Sequence, residues 1–177
     1  MFAGAIVHPD QSCVIPLAPE PITRQDGTDK NDCERNASKR FFEHLRREHP
    51  HLKILVVEDA LASNEPHLSL LKSLNMNYVI GLKPGDHTYL FNWIADLTPQ
   101  IHEVREASGT VHHFEYFSDV PLSESAYDFR VNVICYREMN AKGKDKLFSW
   151  VTDVSVNNQT VLPLMRAGRS RWSIENG

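Results

Sequence analysis

Two acidic residues far apart in the sequence are the candidates for chemistry. Asp59 follows the apolar run "LKILVVE", at the predicted carboxyl end of a buried strand. Ligands and metals collect at this end of the strands in open α/β sheets, and carboxylate oxygens suit Mg²⁺ or Mn²⁺. Glu175 lies in "GRSRWSIENG", one helical turn after Arg171. Asp59 is therefore a candidate metal ligand, and Glu175 is the second acid to explain.

Each acid also has an ordinary structural interpretation. Asp59 or its neighbour Glu58 could simply cap the loop that follows the strand. Glu175 could form an i,i+4 ion pair with Arg171, worth a few tenths of a kcal/mol on a solvated helix. Residue types and spacing alone leave both interpretations open.

Composition excludes several other classes of protein. The charged fraction is an ordinary 24%, and the net charge of −4 gives no global basic field. Three cysteines without a CxxC pair favour a reducing cytoplasm over disulfides or structural zinc. His112 and His113 are adjacent on a predicted strand, so their rings point to opposite faces. The start lacks a signal peptide and no apolar run could span a membrane, which predicts a cytoplasmic protein.

The first half of the sequence predicts the elements that would position Asp59. Residues 3–17 read as a β-hairpin around a Pro-Asp turn, and Phe41 and Leu45 belong to a helical period that ends near Pro50. The run ending at Asp59, a helix capped by Asn64, and the run "NYVIGL" then form a strand–helix–strand unit. Such a unit makes part of the sheet parallel.

The second half changes character. Residues 101–154 contain β-type runs separated by polar turns, whereas residues 155–177 have a helical period interrupted at Gly168. We therefore expect three parts: an α/β core in residues 1–83, a β-rich insertion outside the main sheet in residues 84–154, and a C-terminal helix in residues 155–177.

Several segments together resemble a known family. "VVEDALASNEPHLSLL", "YVIGLKPGDH" and "GRSRWSIENG", with the hairpin and first helix, resemble insertion-sequence DDE transposases of the group with a Tyr-Arg-Glu-Lys signature. The resemblance covers nearly the whole chain in order, and its most specific parts are "DALASN" and "RWSIEN". It implies an RNase H-like mixed sheet with a β-rich insertion, and metal-dependent cleavage and transfer of DNA strands.

The resemblance assigns roles to individual residues. Asp59 and Glu175 become the second and third acids of the triad, which hold Mg²⁺ or Mn²⁺ at the scissile phosphate. Arg171 matches the signature arginine, but the tyrosine position falls on Gly168, and the lysine position falls beyond residue 177. The first acid should lie on a strand beside the one that ends at Asp59, and the sequence contains no such strand.

Other aspartates do not supply that first acid. Asp10 falls in a hairpin turn, and the remaining candidates fall in a loop or helix start, where turn and capping roles account for them; these are Asp26, Asp29 and Asp32. We therefore expect a core truncated at both ends, with its first strand missing and negligible turnover on its own.

The expected partners follow from the same resemblance. They are DNA, as transposon ends and target, and further copies of the intact protein. Phosphate contacts are expected from Lys83, Arg166, Arg169 and Arg171. The alternatives are a non-catalytic remnant that binds DNA or a transposase, and another RNase H-like nuclease.

Overall fold

The computed structural model describes residues 1–23 and 30–172. Within these ranges, four α-helices and eight strands follow one another in the order β1, β2, α1, β3, α2, β4, α3, β5, β6, β7, β8, α4. The strands are Ala5–His8 (β1), Gln11–Pro16 (β2), Leu55–Glu58 (β3), Asn77–Gly81 (β4), Gln100–Arg105 (β5), Val111–Pro121 (β6), Arg130–Met139 (β7) and Asp145–Thr152 (β8). The helices are Lys30–Glu48 (α1), Glu65–Ser73 (α2), Thr88–Ala95 (α3) and Val161–Ser170 (α4).

The described strands form two sheets. β1 and β2 make a two-stranded antiparallel hairpin, and the other six make one sheet in the order β3-β4-β8-β7-β6-β5. Only the β3–β4 pair in this sheet is parallel. The chain is therefore a mixed α/β protein with a mixed sheet, as the sequence predicts at this level.

The position of the β-rich segment differs from the prediction. Its strands are antiparallel, as expected, but they continue the sheet of the α/β half, because β8 pairs with β4 through Ile80 and Val151. The expectation that this segment lies outside the main sheet is wrong. The physical reason is that Tyr78, Val79 and Ile80 of β4 are fully buried, so β4 needs a neighbour on its second side to satisfy its backbone groups.

The parallel pair depends on helix α2, which crosses between β3 and β4. The side chain of Asn64 caps the helix by accepting from the backbone N–H of His67 at 3.2 Å, and Pro66 lies in the first turn. Leu68 and Leu71 are completely buried, and each such side chain contributes about 1.5–3 kcal/mol. The predicted Asn64 cap of this helix is confirmed.

Both faces of the sheet are covered. Phe41 and Phe42 of α1, with the apolar sides of α2 and α3, pack on the face that carries Tyr78 and Ile80. Helix α4 packs on the opposite face against Val79 and Trp150. Because side chains alternate along a strand, β4 supplies the centre of both cores.

Helix α4 runs without interruption through Gly168, so the predicted break there is wrong. A Cβ atom at Gly168 would lie 2.6 Å from Nε1 of Trp150. The glycine therefore permits close packing between α4 and β8. A tyrosine side chain, which the family resemblance places at this position, has no room in this arrangement.

Within the described part of the chain, none of the helices is both long and apolar enough to cross a membrane.

Candidate functional site

Asp59 follows strand β3 directly, and its side chain has a structural contact. One carboxylate oxygen accepts a hydrogen bond from the backbone N–H of Leu61 at 3.0 Å and so caps the 3₁₀ turn Ala60–Ala62. The capping role considered from the sequence is therefore present. The residue is nonetheless exposed to solvent, and its second oxygen is open to a ligand in the adjoining pocket.

Two contacts hold the loop that carries Asp59 against the end of β4. A Cβ atom at Gly81 would lie 3.2 Å from the backbone nitrogen of Ala60, so the absence of a side chain lets the two segments meet. Ser63 Oγ lies 2.6 Å from His87 Nε2 and ties this loop to the start of α3. Burial lowers the pKa of His87, although the charge of Asp86 opposes that shift. The neutral imidazole is thus favoured at this joint.

An open pocket of about 370 Å³ lies beside Asp59. Phe2 and Ala3 bound it ahead of β1, Val57 and Asp59 bound it along β3, and Arg171 reaches it from the end of α4. The fold therefore brings Arg171 to the candidate acid across a long interval of sequence.

The neighbouring acid, Glu58, is committed to another partner. Its carboxylate lies 2.6 Å from Nε2 of His67, and the two side chains are only 19% and 11% exposed. An edge-on contact with Phe42, at 5.7 Å between ring centroids, holds the imidazole in place. Glu58 is therefore a structural residue of the pocket wall, and Asp59 is the carboxylate available for chemistry.

The described residues do not by themselves complete a metal site. No cluster of three His, Cys, Asp or Glu side chains with suitable geometry occurs among residues 1–23 and 30–172. Glu175, the second predicted ligand, lies outside the described residues, as do Asp26 and Asp29. The facing of Asp59 and Glu175 across one cleft therefore stays a prediction, and so does the divalent cation.

The other predicted phosphate contacts have different surroundings. Lys83 is exposed just after β4, at the same edge of the sheet as Asp59. Arg166 forms an ion pair with Asp10 in the hairpin turn, and Arg169 forms one with Glu138 on β7. Both arginines thus hold α4 to its neighbours, and a phosphate would have to compete with their carboxylates.

A second polar cluster surrounds Glu138, and the sequence did not reveal it. Glu138 accepts hydrogen bonds from Arg169 and from the hydroxyl of Tyr136, the latter at 3.0 Å. Tyr136 in turn lies 2.7 Å from Nδ1 of His112, whose Nε2 lies 3.0 Å from Glu106. The cluster joins the β5–β6 turn, two strands and α4 in one network. The i,i+2 spacing of Tyr136 and Glu138 on a strand was its one signal in the sequence.

The charges of this cluster support a structural role. Burial raises the pKa of Glu138, but the hydrogen bonds from Arg169 and Tyr136 outweigh it and hold that pKa below its ordinary value. The pKa of Glu106 is also lowered, chiefly by its hydrogen bond to His112. Both carboxylates are therefore ionised at neutral pH. Glu138 attaches α4 to the sheet through Arg169, and Glu106 attaches the β5–β6 turn to the sheet through His112.

The cysteines with described surroundings offer no nucleophile at this site. Burial raises the pKa of Cys135 to about 11, so its thiol stays protonated at neutral pH. Cys13 is exposed on the hairpin, away from the pocket residues. The side chain of Cys33 lies outside the part of the chain that the structure describes.

Fold and site together define a class: a mixed α/β protein with an acidic residue and an arginine at the carboxyl end of its parallel strands. Comparison with known proteins adds no relative, since no family model and no curated protein matches the chain.

Proposed function

We propose that this chain is part of a DDE transposase with an RNase H-like core. Intact enzymes of this kind bind the ends of an insertion sequence and use Mg²⁺ or Mn²⁺ to cleave and join DNA strands. Asp59 is proposed as the second acid, Glu175 as the third, and Arg171 as the signature arginine. The proposed setting is the cytoplasm, with DNA and further copies of the intact protein as partners.

One observation carries this proposal: Asp59 and Arg171 line the same pocket at the carboxyl end of β3. A strand-end acid is common, and an arginine on a late helix is common. Their meeting in one pocket requires α4 to return across β3 and β4, which is the arrangement that the resemblance implies. The parallel β3–α2–β4 unit, with Asp59 at its end, agrees with an RNase H-like core.

The proposal has a consequence for activity. The resemblance assigns only two of three acids within the 177 residues. A site with two carboxylates holds divalent ions weakly, so these residues alone are expected to produce no Mg²⁺-dependent nicking or strand transfer. Clear cleavage of supercoiled DNA that Asp59→Ala abolishes would mean that a further acid lies within the sequence.

DNA binding provides the direct test. Each cation that meets a phosphate contributes about 0.9 to the slope of log K against log salt. We expect Lys83→Ala/Arg171→Ala to reduce that slope by up to about 2. Lys142→Ala/Lys144→Ala is the matched control, since it removes the same charge from the exposed β7–β8 turn. A fluorescence-anisotropy titration with a short duplex measures both, and equal slopes in the two variants would remove the pocket from the DNA interface.

A second candidate function is non-catalytic binding to a transposase. The pairing of Arg166 with Asp10 and of Arg169 with Glu138 favours it, because two of the expected phosphate contacts already have acidic partners. Under this alternative the chain binds duplex DNA no more tightly than its net charge of −4 allows. Undetectable binding at low salt, combined with co-purification with a full-length transposase of the same group, would favour it.

A further inference from the structure

Strand β5 lies at one end of the six-stranded sheet, and its outer edge is open. The backbone N–H of Glu106 donates to the carbonyl of Thr110 at 2.9 Å, so Glu106 faces β6. Because backbone groups alternate along an antiparallel ladder, those of Ile101, Glu103 and Arg105 point away from β6. Within the described part of the chain, these outward amides and carbonyls have no hydrogen-bond partner.

The edge of β5 lacks the usual devices that keep strands of different molecules apart. Its six residues pair with β6 in one continuous register without a bulge, and none of them is proline or lysine. The side chain of Ile101 is also left on the surface, where the residue is 58% exposed. A regular, open edge with an exposed apolar residue is a template for a further strand.

The charges on β5 indicate which strand fits this edge. Glu103 and Arg105 lie on the same face, and their side chains pair at 2.7 Å while 38% and 73% exposed. In a symmetric antiparallel pair centred on Val104, each Glu103 lies opposite the Arg105 of the other copy. The four charges then alternate in sign around the contact, so every neighbouring pair attracts. A register centred on Glu103 or on Arg105 would place like charges opposite each other.

The same register suits the remaining positions of the two strands. The residues that exchange backbone hydrogen bonds across the pair are those whose groups point outward, as an antiparallel ladder requires. Ile101 lies opposite Ala107 of the other copy, so the exposed isoleucine meets an apolar neighbour. His102 lies opposite Glu106, so an imidazole faces a carboxylate. The sequence of β5 is therefore complementary to itself when the strand is reversed.

We propose that two copies of this chain associate through their β5 edges, in an antiparallel pair centred on Val104. The pair joins the two six-stranded sheets into one continuous sheet. The arrangement has two-fold symmetry and closes on itself, because it uses the β5 edge of both copies. A contact between strand edges is smaller than a standard interface, so the dimer is weak and reversible. This inference depends on β5 alone, and failure of the transposase proposal would leave it unchanged.

Charge reversal tests both the surface and the register. The 177-residue chain is sedimented at concentrations from about 1 µM to about 1 mM, and the wild type should form dimers as the concentration rises. Glu103→Arg and Arg105→Glu should each weaken the dimer about tenfold, because each variant turns two symmetric attractions into repulsions. The double variant Glu103→Arg/Arg105→Glu restores opposite charges and should associate as the wild type does.

A mixture of the two single variants sharpens the test. Glu103→Arg and Arg105→Glu together regain opposite charges at both positions, so they should form a mixed dimer at concentrations where each alone is monomeric. Glu124→Arg and Lys142→Glu are the matched controls. They make the same changes of charge on the exposed β6–β7 and β7–β8 connections and should leave the association unchanged.

Hydrogen exchange of the wild type makes the test independent of the variants. The amides of Glu103 and Arg105 should exchange quickly in the dilute chain and become protected as the concentration rises. The amide of Val104 faces β6 and should be protected throughout.

Several results would overturn the proposal. They are a monomer at about 1 mM, a dimer in which the outward amides stay unprotected, and an Arg105→Glu chain that associates as strongly as the wild type. A mixture of the single variants that stays monomeric would overturn it as well. Species larger than a dimer would contradict the closed arrangement, which leaves no β5 edge free.

Discussion

Replacing Glu138 by glutamine tests the network that holds α4 to the sheet. Glu138 is 16% exposed and pairs with Arg169, whose side chain is 28% exposed. The guanidinium also lies over the ring of Phe148 at 5.3 Å. Glutamine keeps the shape of the side chain but removes its charge. One charge-assisted hydrogen bond is lost, so the free energy of unfolding at pH 7 should fall by about 2 kcal/mol.

A surface ion pair in the same sheet supplies the control. Arg137 and Asp145 form a pair whose side chains are 50% and 36% exposed. Because solvent screens such pairs, Asp145→Asn should cost less than about 1 kcal/mol. Urea unfolding, followed by the fluorescence of the three tryptophans, measures both variants. Equal losses in the two variants would refute the network argument.

The pH dependence of the same variant has a defined sign. The folded-state pKa of Glu138 lies below the ordinary glutamate value of about 4.3. Its stabilising contribution is therefore complete above that value and is lost as the pH falls through the folded-state pKa. The difference between wild type and Glu138→Gln should shrink on acidification below about pH 4. A difference that stays constant down to pH 3 would contradict this origin.

Two further predictions concern the elements around the site. Gly168→Ala should lower the melting temperature, because its Cβ would lie 2.6 Å from Trp150. This overpacking costs about 1–3 kcal/mol, which exceeds the roughly 1 kcal/mol gain in helix propensity. Gly85→Ala is the neutral control, since a Cβ atom there would meet nothing within 4 Å. Burial lowers the folded-state pKa of His87 below about 6.5, so the neutral ring's stability is complete above that value and declines as the pH falls toward the folded-state pKa. An NMR titration in which His87 titrates at or above about 6.5 would contradict this assignment.

Local sequence signals predicted the parts of the fold that depend on neighbouring residues. Asn64 predicted the start of α2, and the apolar runs at Val56 and Val79 predicted β3 and β4. These signals succeed because capping and strand periodicity act over a few residues. The same reasoning placed Asp59 at a strand end, where the structure has it.

The remaining features depend on contacts between distant residues. The pairing of β4 with β8 brings Ile80 opposite Val151. No local sequence pattern specifies which distant strand pairs with β4. The pair between Arg169 and Glu138 was missed for the same reason, since an arginine on a helix has the same sequence signal whether it meets a carboxylate or water. Gly168 resembles a helix break in the sequence because its contact with Trp150 on β8 joins residues that are distant in the chain.

The three arginines at the end of α4 lie close together in the sequence but have different contacts in the structure. Arg169 pairs with the largely buried Glu138 on β7, and this pair and the contact between Gly168 and Trp150 fix the helix at two points. The pair of Arg166 with Asp10 on the hairpin is exposed to solvent and contributes less. Arg171 follows these anchors and reaches the pocket beside Asp59. A helix held this firmly delivers its last turn to one place, so removal of an anchor should displace Arg171. Glu138→Gln should accordingly weaken any ligand bound beside Asp59 although Glu138 itself does not line that pocket.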